Sequence, residues 1–300
     1  MRNRNTRLFL TLVVGAAVAL CALAVSVIGV GIRLSSAMPA KIGSPPADLA
    51  AEEITIASGS GETLRGWFLS GRPGRGGVIL MHGIRGTRLS MVERARMLHD
   101  SGFSILLFDF QAHGESSGKR ITFGHLEALD AAAAVAFARR RLPGEKIGVV
   151  GTSLGGAAAL LGPSPLPVDA LVLEAVYPDI EIATANRISA YLGRRVGSVV
   201  APVVVPLFTR LMPPILDVSF TELRPIDHIA DVHAPILIAS GTRDTRTTVP
   251  ETIAMFDRAR EPKLIWLVEG AGHVDLERFA PDAYRAHVLS FLADRLQQPR

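Results

Sequence analysis

Cysteine is nearly absent from this 300-residue chain: Cys21 is the only one. No intramolecular disulfide and no cysteine-based metal site can therefore form. Lipidation of Cys21 is disfavoured too, because Leu20 stands where a lipoprotein signal needs a small residue. Acidic residues are missing from the first 47 positions, whereas Arg2, Arg4, Arg7, Arg33 and Lys41 all precede Asp48. Removing those five from the 32 basic residues leaves 27 against 28 acidic ones. The basic excess thus belongs to the N-terminal segment and forms no patch on the folded body, which argues against a nucleic-acid partner. Internal repeats are lacking as well, and the length suits one anchor plus one α/β domain of roughly 250 residues.

Residues 8–32 run without a charge, long enough to span a bilayer, which takes about 20 helical residues. The arginines ahead of this run predict a cytoplasmic N-terminus and a body on the extracytoplasmic side, although Arg33 and Lys41 weaken the asymmetry. The alternative is a secretory signal cleaved at Ser35-Ser36-Ala37, but a signal core is usually about 7–15 residues. The expectation is a transmembrane anchor over 1–33, then a linker over 34–51 whose prolines lift the body, residues 52–300, off the membrane.

From Glu53 onward short β-rich runs alternate with helical patterns, which predicts an α/β fold: a mainly parallel sheet of about eight strands with helices on both faces. Runs 54–57 and 64–69 should open it as an antiparallel pair, joined by Ser58-Gly59-Ser60-Gly61. Runs 78–81 and 104–108 are continuously apolar, as strands buried on both faces are, and further strands are expected at 146–150 and 170–176. Helices are expected over 90–100, 121–141 and 154–161. Residues 178–224 break the alternation with proline-rich apolar stretches and read as an insertion after the sixth strand. Strands at 235–240 and 264–268, helices near 250–259 and a terminal helix from Pro281 complete the domain.

The chemistry is concentrated in Gly151-Thr152-Ser153-Leu154-Gly155, which follows a buried strand and opens a helix. At such a turn a serine is held strained and exposed above the sheet, while the glycines Gly151 and Gly155 let neighbouring backbone pass close by. A serine hydroxyl becomes nucleophilic when a base takes its proton and a third group fixes that base. Asp244 and His273 follow two later strands in that order, Asp244 as the orienting acid and His273 as the base. Glu174 is the alternative acid. His228, His233 and His287 are the rival bases, but two precede the acid's strand and one lies in the terminal helix. Backbone N–H groups of Leu154 and Ile84 are the expected oxyanion donors. His82 reads as structural.

His82-Gly83, Asp109-Phe110-Gln111-Ala112-His113-Gly114-Glu115-Ser116, the Ser153 pentapeptide, Asp244 and His273 together resemble the α/β-hydrolase superfamily, over roughly residues 52–298. Gln111 and Ala112 depart from that family's usual D-x-R-G-x-G-x-S. The resemblance implies acyl transfer from an ester to Ser153 and then to water, with neither metal nor organic cofactor. The insertion lies where the family carries its lid, and its apolar character suggests a greasy acyl substrate or bilayer contact. Arg85, Arg88, Arg243 and Arg246 lie near the site loops and could attract a carboxylate or phosphate, although solvated surface arginines are commoner. Two rival functions remain at this level: an inactive membrane-tethered binding protein of the same fold, and an acyltransferase using the same residues.

Overall fold

The computed structural model describes residues 2–297. Eight strands form one sheet: β1 Ala51–Ala57, β2 Thr63–Leu69, β3 Gly77–Met81, β4 Ser104–Phe108, β5 Ile147–Thr152, β6 Ala170–Glu174, β7 Ile236–Gly241 and β8 Lys263–Val268. Their spatial order is β8-β7-β6-β5-β3-β4-β2-β1, antiparallel at β1–β2 and β2–β4 and parallel elsewhere. Alternate residues of β3 feed opposite faces. Ile79 and Met81 pack with Ala131, Ala134 and Ala157, while Val78 and Leu80 pack with Ala95, Leu98 and Leu292. That two-sided burial is why the central strands read as unbroken apolar runs.

Helix α1, Arg2–Ser35, includes a 30-residue stretch, Thr6–Ser35, with mean hydropathy 2.7, long and apolar enough to cross a membrane. The body's longer helices are α2 Val92–Asp100, α3 His125–Arg141, α4 Leu154–Leu160, α5 Ile180–Leu192, α6 Arg194–Leu211, α7 Val249–Arg258 and α8 Ser290–Leu296. Several expected boundaries shift by a few residues. Helix α3 starts at His125 rather than near Ile121, because Phe123 and Gly124 have positive φ values of 55° and 109°. The buried Glu127 carboxylate accepts the N–H groups of Thr122 and Gly124, at 2.9 and 2.8 Å, and so stabilises that turn. In the insertion, Pro202 and Pro206 lie inside α6.

Residues 34–51 do not act as a free spacer. Met38 and Pro39 pair in parallel with His113 and Gly114. The N–H groups of Ile42 and Gly43 both donate to Glu115 Oε1 at 3.0 Å. Led by the Gly43 N–H, these bonds and Arg88 hold the Glu115 carboxyl at about 2. Prolines limit regular pairing here, but they leave enough N–H groups to fasten the segment to the body. The end of α1 is therefore docked: Val27 is buried with Phe208, Met212, Leu216 and Phe220 of the insertion.

Candidate active site

Loops at the C-terminal ends of β3, β5, β7 and β8 converge, as expected where strand order reverses in an open α/β sheet. Ser153 links β5 to α4 with φ 50° and ψ −108°, a conformation disfavoured for an L-residue. Two close approaches impose it. A side chain on Gly155 would collide with the Met81 carbonyl, and a Cβ on Gly151 would lie 2.6 Å from the Gly156 nitrogen. The Ser153 N–H donates to the Glu174 carbonyl at 2.8 Å, which fixes the turn against β6.

A pocket of about 250 Å³ lies above this turn. Ser153, His273 and Ile84 all line it, together with Gly83, Met91 and Thr152. Leu154, the first residue of α4, is buried beside Ala112 and Ile121, against Ile84. Asp244 lies behind His273: its fully buried Oδ2 is 2.8 Å from His273 Nδ1. The other oxygen accepts the N–H groups of Arg246 and Thr247 at 2.7 and 2.9 Å. With all three bonds made, the carboxylate favours the tautomer with hydrogen on Nδ1, leaving Nε2 as the acceptor.

The alternative residues go elsewhere. Glu174 is buried and committed to Arg94, Tyr284 and Thr152. His287 stacks on Trp266, His228 borders a separate small cavity, and His233 is exposed. His82 is fully buried; its Nδ1 bonds to the Gly83 carbonyl at 2.8 Å and its Nε2 accepts the Phe110 N–H at 3.1 Å. Burial, reinforced by His113, pushes its pKa down to about 3, so the ring is neutral and structural.

A family profile described as "alpha/beta hydrolase fold" matches residues 77–232. The chain belongs to the α/β-hydrolase fold family. An uncharacterized protein, Rv2307c of Mycobacterium tuberculosis, is 28% identical over 232 residues, covering 76% of this chain and 74% of that protein. YqkD of Bacillus subtilis, also uncharacterized, is 23% identical over 240 residues, covering 80% of this chain and 78% of its own. Among solved structures, the Pyrococcus furiosus esterase Pf2001 superposes with a TM-score of 0.71 at 24% identity, covering 88% of this chain and 99% of that one. This α/β-hydrolase fold places its pocket where the sheet order predicts.

Sequence reasoning placed four arginines near the site, and the structure separates them. Arg246 lines the pocket, whereas Arg88 is buried in an ion pair with Asp109 and Glu115. Arg243 is exposed and does not line the pocket. Arg85 is exposed, and its guanidinium donates to the Arg33 carbonyl at 3.2 Å. Three charged lining residues were missed: Arg94 from α2, Arg187 from α5 and Asp275 beyond β8. Arg94 and Arg187 showed in sequence only as charges on helices, which ordinarily mark a solvated face, and Asp275 only as a loop carboxylate two residues past His273.

Proposed function

We propose that this protein is a serine hydrolase of carboxylic esters, tethered to a membrane by α1. The observation that carries the reading is the Asp244–His273 bond behind a pocket that Ser153 and His273 share. Ser153 Oγ attacks the ester carbonyl as its proton passes to His273 Nε2, and the new O–C bond gives a tetrahedral oxyanion. Backbone N–H groups of Leu154 and Ile84 stabilise that charge. Collapse breaks the bond to the alcohol, which leaves with the proton from His273. Water, deprotonated by the same imidazole, then cleaves the acyl-enzyme to give the free acid and Ser153. Asp244 orients the imidazole and stabilises its cationic form.

The name of the Pyrococcus neighbour, an esterase, supports the same class. The insertion over 178–224 serves as the lid, since Arg187 of α5 reaches the pocket. The positive-inside rule puts the N-terminus in the cytoplasm and the catalytic body on the other side.

The deciding experiment is fluorophosphonate labelling of the wild type beside Ser153→Ala, followed by p-nitrophenyl esters of increasing acyl length. Labelling lost in the variant, with turnover of some ester by the wild type, supports the reading. A folded wild type that neither labels nor turns over any ester sinks it. Fractionation tests the tether: the full chain should stay with membranes through alkaline carbonate washing.

A further inference from the structure

The pocket at Ser153 carries positive charge that a neutral ester would leave unanswered. Three guanidinium side chains line it, those of Arg94, Arg187 and Arg246. Arg94 is neutralised by Glu174 and Asp275, each at 2.8 Å. Among the described residues, no hydrogen bond or ion pair engages the side chain of Arg187 or of Arg246.

These two arginines come from separate elements that the structure holds together. Arg187 is half-buried on α5, and Arg246 lies two residues past Asp244 in the loop after β7. Asn186, beside Arg187, donates to the Arg246 carbonyl at 3.2 Å and to Glu251 at 2.7 Å. Glu251, the nearby acid, is thereby taken up: it also accepts the Thr248 N–H at 3.0 Å and caps α7. Burial and then repulsion from Arg246 lower the pKa of Arg187. A half-buried cation next to a second cation is costly unless an anion joins them. Arginine's planar fork suits a carboxylate or phosphate.

Building on the ester-hydrolase reading, we infer that the Ser153 pocket selects esters that carry a second, anionic group, a carboxylate or a phosphate, held between Arg187 and Arg246 while the ester carbonyl lies at Ser153. A concave site of one sign also concentrates such substrates from solution.

Two matched substrate pairs test this and distinguish the sources of the anion. One is p-nitrophenyl hexanoate against the mono-p-nitrophenyl ester of adipic acid. The other is monoacylglycerol against lysophosphatidic acid of the same acyl chain, both in neutral-detergent micelles. The full-length wild type should favour the anionic member of at least one pair by about tenfold in kcat/KM. A preference confined to the first pair assigns a carboxylate on the acyl chain, and one confined to the second assigns a phosphate headgroup. The ratio should fall toward unity in Arg187→Gln and in Arg246→Gln, survive largely in Arg187→Lys, and shrink with added salt. General damage to the fold would lower both members of a pair and leave their ratio in place. Equal rates on both members of both pairs, or a preference unmoved by either glutamine substitution, overturns the inference; continued hydrolysis of the neutral esters would then leave the hydrolase reading standing. Absence of labelling and of turnover on every ester removes both.

Discussion

Arg94 on α2 and Glu174 at the end of β6 form an ion pair beneath the pocket, Nη2 to Oε2 at 2.8 Å, with side chains only 2% and 1% exposed. The Arg94 Nε donates to the Tyr284 hydroxyl at 3.1 Å, and that hydroxyl donates to Glu174. Thr152, next to Ser153, donates to the same carboxylate at 2.9 Å. This network ties the helix, the sheet and the Ser153 turn to one buried charge pair.

Removing Glu174 leaves the buried Arg94 only the partly exposed Asp275 and the Tyr284 hydroxyl as partners. Glu174→Leu should therefore lower the unfolding free energy by about 3–5 kcal/mol, measured by denaturant titration in detergent. Tyr284→Phe, which removes one hydrogen-bonding hydroxyl, should cost about 1 kcal/mol. A Glu174→Leu protein as stable as the wild type would mean that the pair contributes nothing.

Asp244→Asn should behave in the opposite way. The asparagine oxygen can still accept the Arg246 and Thr247 N–H groups, so stability changes little. Its amide, however, holds His273 in the wrong tautomer, and kcat should fall by about 10⁴. Steady-state kinetics beside thermal melting separates the two effects, and a Glu174 variant that lost more turnover than Asp244→Asn would reverse the acid assignment.

His82 makes the fold sensitive to acid. Its pKa falls from 6.5 to about 3 on burial, so between those values the unfolded chain binds more protons than the native one. The contribution is complete above pH 6.5 and is lost as pH falls toward 3, amounting to about 2 kcal/mol by pH 5. Denaturant midpoints at pH 7 and pH 5 should show this drop, and the drop should be smaller in His82→Gln.

The end of α1 meets the insertion at Gly31, where an added Cβ would have to displace the Met212 side chain. Gly31→Val should separate the end of α1 from α6 and speed proteolytic cleavage within 193–218, with the β-sheet core remaining resistant. Equal cleavage in the two proteins would show that the contact does not hold the insertion in place.

Much of this architecture is legible along the chain. The central strands are buried on both faces, so Gly77–Met81 and Ser104–Phe108 stand out as apolar runs. The Ser153 turn is equally local, since the glycines that permit it are its immediate neighbours. Asp244 and His273 could be ordered because each follows its own strand by a few residues. The long apolar N-terminal helix is legible from composition alone.

Tertiary structure decided what depends on partners distant in sequence. Which carboxylate meets His273 was settled by packing, which gives Glu174 to Arg94 and leaves Asp244 within 2.8 Å of the imidazole. The attachment of 34–51 to the loop at His113 and Glu115 could not be read from a proline-rich composition, because edge pairing depends on where N–H groups fall in space. A helix apolar on every side shows no preferred face in its sequence, so the seat of Val27 and Gly31 on the insertion emerged only with the fold. The pocket's charge is the clearest case. Arg94, Arg187 and Arg246 lie on three separated segments, and only their convergence at Ser153 determines which is neutralised and which two face the cavity without an anion.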